Sequence, residues 1–373
     1  MPATRMNVRL LAAGIGVLIV AGVALAWLSG AFSPPDPLVV YCAHDEEFSA
    51  PILRKFTEQT GIPVEVRYDT EATKSLGLVN LLLQEREHPR CDVFWNNQVL
   101  TMMELQDEGL LVPYKGPGYE RIPEQYKDAD GHWTGFAARL RVCIVNTKNL
   151  SISSETDLTV LEVVLRFKWD YVGDDSKRRP NEHGYGLFDD NLSKMAIANP
   201  LYGTTLTHYA VLWHLWRAER LQAWHRNTRR RGLREVTGNA AVKNLVADGV
   251  CDFGWTDTDD FFVARDAGKP VAMFPVRTDT GGTICIPNSV AIIHGTKKLG
   301  AARRLMDFLL SKKTEHALAV SPSRQIPLGP IDEKTLPKEV RELLPAAKQG
   351  YDLRKLGQMH KECLAWLKAE YLQ

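Results

Sequence analysis

The chain has 373 residues, 45% of them hydrophobic and 24% charged, with a formal net charge of +1. That apolar share supplies sizeable cores, and the near-neutral balance excludes a partner chosen by bulk charge, nucleic acid above all. Six cysteines, none at CxxC spacing, exclude the usual structural zinc pattern.

Arg5 and Arg9 precede an uncharged apolar run from Leu10 to Phe32, and Ser33-Pro34-Pro35-Asp36-Pro37 ends it. A cationic start, an apolar middle and a polar break are the pattern of an export signal, with Ala24-Leu25-Ala26 fitting small-residue cleavage. The run is also long enough to span a bilayer. Residues 1–37 are therefore read as a signal peptide or an N-terminal anchor with a Pro-rich linker. Both readings place the remainder outside the cytoplasmic membrane.

From residue 38 strand and helix alternate. The pattern predicts strands over 39–42, 64–68 and 92–95 and helices over 50–60, 72–87 and 99–108, with Gly109 as a C-terminal cap. This rhythm implies βαβ units and a parallel sheet. A strand over 141–146 then follows with no helix before it, where the chain crosses to a second lobe. Beyond a charged stretch over 151–191 the pattern predicts a strand over 195–199 and helices over 204–220 and 240–248. A strand over 251–255, a helix over 260–267, and strands over 271–275 and 284–294 come next. Helices over 301–310 and 314–320 and a helical tail over 337–373 complete the chain. The arginine-rich run 226–234 reads as a solvated helix end and turn. Cys143 and Cys285 are candidates for a bridge if their strands are adjacent.

Polar clusters fall where predicted strands end: His44-Asp45-Glu46, Asp69-Thr70-Glu71-Ala72-Thr73-Lys74, Trp95-Asn96-Asn97 and Thr256-Asp257-Thr258-Asp259-Asp260. Ligands of open α/β sheets bind just outside such ends. Tyr202-Gly203-Thr204-Thr205 opens a long helix, where hydroxyls and free backbone N–H groups favour an anion. Asp, Asn and Thr at these places also serve as caps and turns. Five clusters at one end of the sheets, and adjacent Asp259 and Asp260, point instead to a cationic or zwitterionic ligand.

The chain resembles extracellular solute-binding proteins of family 1, close to the ferric-ion-binding components of ABC importers. The resemblance rests on Val39-Val40-Tyr41 with the following His44-Asp45-Glu46, on Phe56-Thr57-Glu58-Gln59-Thr60-Gly61-Ile62-Pro63-Val64 and on Cys91-Asp92-Val93-Phe94. It continues through Glu108-Gly109-Leu110-Leu111-Val112-Pro113-Tyr114, Arg141-Val142-Cys143-Ile144-Val145-Asn146, Gly203-Thr204-Thr205 and Ile286-Pro287-Asn288-Ser289-Val290-Ala291. It implies an α/β, two-lobed periplasmic-binding-protein-like fold of type II, each lobe a mainly parallel sheet flanked by helices, with the ligand cleft between lobes. Lobe one would comprise 38–140 and 289–320, and lobe two 141–288 and 321–373.

The resemblance further implies a monomeric binding component, not an enzyme, that needs no cofactor. It would deliver ferric iron, held with a synergistic anion, to permease and ATPase subunits. His44, Asp45, Glu71, Asp259 and Asp260 would hold the metal, and Thr73, Asn96, Asn97, Gly203, Thr204, Thr205 and Asp257 the rest of the ligand. The family's tyrosine pair appears here as Asp259-Asp260, leaving Tyr185, Tyr202 or Tyr209 as sources of a phenolate. The same fold with an aminophosphonate or amino acid as cargo is the alternative. An exported hydrolase would need a nucleophile beside a base, and no Ser or Cys motif of that kind and no HExxH is present.

Overall fold

The computed structural model describes residues 36–69, 76–150, 191–278 and 280–371. The expected export segment, the charged stretch over 151–190 with Tyr185, and the cluster residues Glu71 and Thr73 lie outside these. No helix among the described residues is long and apolar enough to cross a membrane.

The first lobe begins with β1 (Leu38–Cys42), α1 (Glu46–Thr60) and β2 (Val64–Tyr68). Phe48, Ile52, Leu53 and Phe56 of α1 recur on one face and are buried, and Gly61 closes the helix at φ 69° with its N–H on the Thr57 carbonyl. Next come α2 (Leu76–Gln84), β3 (Val93–Asn96), α3 (Leu100–Asp107), β4 (Leu111–Val112) and α4 (Pro117–Glu120). β1 pairs in parallel with β2 and β3, as the βαβ rhythm requires.

The crossing strand, β5 (Thr134–Asn146), is thirteen residues long and buried throughout. The sequence pattern marks only its second half, because Gly135, Ala137, Ala138 and Arg139 interrupt the apolar run. The second lobe follows with β6 (Met195–Ala198), α5 (Gly203–Trp216), α6 (Ala218–Arg230), β7 (Arg234–Val236) and α7 (Asn239–Ala247). Then come β8 (Phe253–Asp257), α8 (Thr258–Asp266), β9 (Val271–Pro275), β10 (Cys285–Ile293), α9 (Leu299–Leu309) and α10 (Lys312–Val320). The tail folds as α11 (Lys338–Lys348) and α12 (Gly357–Tyr371).

The strand order is β2-β1-β3-β10-β5-β8-β6-β7, with β4 on β10 and β9 on β5. β5 serves both lobes. Thr134–Leu140 pair with β10, and Arg141–Asn146 pair with β8 and β9. The β6–β7 and β6–β8 pairs are parallel, whereas β5 and β10 run antiparallel to their neighbours. Each lobe is therefore a parallel βαβ sheet closed by antiparallel crossing strands.

Two sequence expectations change. The single helix over 204–220 is two helices, because Arg217 takes φ 69° and turns the chain. The turn lets Trp216 and Trp224 pack edge-on, with Trp224 stacked on Trp255 of β8. The six cysteines are all free and buried. β5 and β10 do pair, but Cys285 lies opposite Leu140 and Cys143 opposite Trp255.

Candidate functional site

Strand ends and helix starts from both lobes converge on a cavity of about 240 Å³. Its lining brings together eight of the expected residues: Asp45, Asn97, Gly203, Thr204, Thr205, Asp257, Asp259 and Asp260. Asp45 sits at the N-cap position of α1 and Asn97 follows β3, so the first lobe contributes both. Gly203 opens α5 at φ 54°, a backbone that a side chain would strain, and nothing stands within 4 Å of where a Cβ would sit. The helix N-terminus is thereby left open to the cavity.

Asp257, at the C-terminal end of β8, is the most heavily bonded carboxylate. Its Oδ1 accepts from Arg141 Nη1 at 2.7 Å. Its Oδ2 accepts from Thr204 Oγ1 at 2.6 Å and Asn239 Nδ2 at 2.9 Å, with Arg139 Nε at 3.4 Å. Arg141 also donates to Thr204 Oγ1 at 3.1 Å, Asn239 Oδ1 at 3.2 Å and Thr205 Oγ1 at 3.4 Å. Thr204 and Thr205 therefore turn their hydroxyls into this network.

Asp259 and Asp260 are different. Asp259 accepts from the Asp260 N–H at 3.1 Å and has Arg139 Nε at 3.9 Å. Burial pushes its carboxyl up to about 8. That value is the net result: burial is the largest cause, Arg139 opposes it, and the charges of Asp257, Asp260 and Asp45 add to it. Asp260 accepts from Thr256 Oγ1 at 2.7 Å. Burial, then the neighbouring Asp257, raises it to about 6. One oxygen from each of Asp257, Asp259 and Asp260 lies within 4.8 Å of the others. These are carboxylates whose charge a positive ligand would stabilise.

Two expected residues stand apart. His44 is buried with its ring stacked on Trp95 at 5.6 Å, and its Nε2 lies 2.9 Å from Gln325 Nε2. The Gln325 Oε1 accepts from Asn288 Nδ2 at 2.7 Å, and Asn288 donates in turn to the Ala137 carbonyl on β5. His44 thus ends a buried hydrogen-bond chain behind the cleft and is not part of the cavity lining. Asn96 is fully buried as well, donating to Thr101 Oγ1 at 2.6 Å and accepting from the Asn97 N–H. Of the three tyrosines, Tyr202 lines the cavity, whereas Tyr209 is buried against His225 at 3.0 Å.

Arg139, which lines the cavity, and Arg141, which holds Asp257, are charged groups of the site that the sequence reading did not single out. They are two apart on a strand, so both side chains leave the same face, and that face is the cleft. Arg141, opening the predicted strand, was a readable signal; Arg139 was not, since it precedes the stretch that the apolar pattern marks. Asn239 and Lys243, one turn apart on α7, were not, since nothing in a helix of that composition marks its cleft-facing side.

Residues 38–320 match the pattern of bacterial extracellular solute-binding proteins. The chain belongs to that family. This solute-binding protein is 29% identical over 146 residues to the Fe(3+)-binding periplasmic protein of Serratia marcescens, a stretch covering 39% of this chain and 42% of that protein. The match thus spans about two fifths of the curated relative's length. In structure it is similar to the ferric binding protein from Campylobacter jejuni, with a TM-score of 0.72 at 17% identity, covering 89% of this chain and 98% of the other. It is also similar to iron-bound HitA from Pseudomonas aeruginosa, with a TM-score of 0.64 at 18% identity, covering 88% and 99%. These likenesses are to the two-lobed fold, and the eight lining residues sit in its cleft.

Proposed function

We propose that this solute-binding protein is the receptor of an ABC importer and that its cargo contains ferric iron. The observation that carries the reading is the meeting of Asp257, Asp259 and Asp260 at the end of β8, with Asp45 of the other lobe lining the same cavity. Ferric iron is a hard cation that takes oxygen donors. Asp45, Asp259, Asp260 and the Tyr202 phenol supply them, replacing the tyrosine pair of the wider family. The N-terminus of α5 supplies backbone N–H groups for an accompanying anion. The names of the Serratia marcescens, Campylobacter jejuni and Pseudomonas aeruginosa relatives agree with this cargo.

The lobes divide within β5 at Leu140 and Arg141, where its pairing partner changes, and again at the start of β10. Closure of one lobe on the other would bring Asp45 and Asn97 against cargo held by the second lobe. The closed form would present both lobes to permease and ATPase subunits. We place the protein outside the cytoplasmic membrane, exported or anchored by residues 1–37, and acting as a monomer.

The test is titration of purified protein with ferric citrate, followed by tryptophan fluorescence and by thermal unfolding. Cargo at 100 times its Kd stabilises by about 2.7 kcal/mol. No stabilisation, or an unchanged response in D259A/D260A, would refute the reading. The Arg139 and Arg141 guanidiniums also suit the anionic end of an amino acid or aminophosphonate. Stabilisation by those compounds, with none by iron, would select that cargo instead.

A further inference from the structure

We propose that Arg139 determines cargo class, acting as a resident cation that must be drawn off Asp257 and Asp259 by an oxyanion the cargo brings with it. This rests on the receptor reading above and deepens it. An accompanying oxyanion already belongs to that reading; the addition is that Arg139 enforces it, by disfavouring the bare ion.

Three observations carry the inference. First, Arg139 occupies the cation's place. Its Nε lies 3.4 Å from Asp257 Oδ2 and 3.9 Å from Asp259 Oδ2, and its side chain lines the cavity. A bare cation approaching those oxygens meets a positive charge in a nearly dry site, where repulsion is weakly screened.

Second, Arg139 holds a donor in reserve. Its Nη2 donates to the Asn97 carbonyl of the first lobe at 2.6 Å, while its Nη1 is buried with no acceptor. A buried guanidinium N–H without a partner is costly, and an incoming oxyanion removes that cost. The open N-terminus of α5 lines the same cavity, so the oxyanion would find backbone N–H groups as well as the guanidinium fork.

Third, the network tolerates Arg139 turning away. Asp257 keeps Arg141 at 2.7 Å, Thr204 at 2.6 Å and Asn239 at 2.9 Å. Asp259 has no second guanidinium among the described residues, so the swing frees Asp259 for the cation. The charge balance agrees. Asp45, Glu47, Asp257, Asp259 and Asp260 face Arg139, Lys243 and the Arg141 behind Asp257, a formal charge of −2 when all are ionised. A bare trivalent cation would overshoot this balance, and one that brings its own oxyanion would not.

Arg139 acts by changing which partner the carboxylates hold, so its removal should move two probes in opposite directions. The probes are terbium chloride, a hard trivalent cation read by sensitised luminescence, and ferric citrate, with ferric iron in phosphate as a second oxyanion arm. In Arg139→Gln, terbium should bind at least about tenfold tighter than in wild type, and ferric citrate at least about tenfold weaker. A purely structural role would weaken both. Arg139→Lys keeps the charge and loses the fork, so it should leave terbium binding weak and still lose ferric citrate. It also carries the test if the Gln variant does not fold.

Equal weakening of both probes, no change in either, or terbium tightening in the Lys variant as much as in the Gln variant would overturn the role of Arg139 alone. A wild type that binds no form of iron would overturn the receptor reading, and this inference with it. The phosphate arm, compared with citrate, shows which oxyanion the fork selects.

Discussion

Replacing Asp257 by Asn separates its structural work from ligand binding. Its side chain is 5% exposed and that of Arg141 is 0% exposed. The carboxylate accepts from Arg141, Thr204 and Asn239 at 2.6–2.9 Å. Asn removes the charge, and its amide turns a donor toward groups that are themselves donors. Leaving one member of a buried ion pair uncompensated costs about 3–5 kcal/mol. For the folded unit Leu38–Gln373, an unfolding entropy of about 2.1 cal/mol/K per residue amounts to about 0.7 kcal/mol/K. The melting temperature of cargo-free D257N should therefore fall by about 4–7 °C. Calorimetry of the purified protein at pH 7 reads this directly. Adding Arg141→Gln to D257N should cost less than the two separate losses together, because the orphaned charge is gone. A fall below about 2 °C would refute the reasoning and show that solvent, not Asp257, compensates Arg141.

Asp259 should behave in the opposite way. Its carboxyl is raised from 3.8 to about 8 in the folded, cargo-free protein, so the folded state holds a proton that the unfolded state has released. Stability is then lost as pH rises from about 4 to about 8. D259N, which is already neutral, should lose the part of this decline that Asp259 contributes, keeping only that of Asp260 below about pH 6, and its melting temperature should exceed wild type by a margin that grows with pH. A margin that shrinks as pH rises would contradict the assignment. Glu315 is fully buried. It holds Arg121 at 2.7 Å and accepts from the N–H groups of Ala137, Leu328 and Gly329. E315A should therefore cost about 3–5 kcal/mol, read as a drop of several degrees in melting temperature, and a near-neutral effect would deny its role in holding β5. For cargo binding, His44→Gln should change affinity by less than about threefold and Asp45→Asn should weaken it by more than about tenfold. Equilibrium titration checks both, and the reverse ranking would return His44 to the site.

The sequence makes most of the first lobe legible because local and global preferences agree there. β2 falls at Val64–Tyr68, and α1 carries Phe48, Ile52, Leu53 and Phe56 on one face before Gly61. The strand-end logic also locates the cleft, because strands with a common direction present their C-terminal ends to one side. What it could not separate is which side chain in each cluster faces the ligand. His44 and Asp45 are adjacent, yet Asp45 lines the cavity and His44 turns inward to Gln325, a partner 281 positions away. Asn96 and Asn97 divide in the same way. Side chains of neighbours at the end of a strand leave in opposite directions, and only long-range packing decides which is inward. Arg217 was illegible for another reason, since a non-glycine residue with positive φ is imposed by the tryptophan packing on both sides of it.

The crossing strand explains why the site's charged groups could be buried at all. Ala137 breaks its pleat at φ 42°, held there by Glu315 on its N–H and Asn288 on its carbonyl. The register against β10 shifts at the same place. A bulge re-aims the side chains that follow it, and those are Arg139 and Arg141. Without the bulge, a strand of this length would keep one face on the core along its whole course, and two guanidiniums on that face would be uncompensated. With it, they reach Asp257 and Asp259 at the end of β8. The lobe that supplies Asn97 and the lobe that supplies the aspartates are thus linked through β5 and through the Arg139 guanidinium. A ligand that moves Arg139 acts directly on the contact between them.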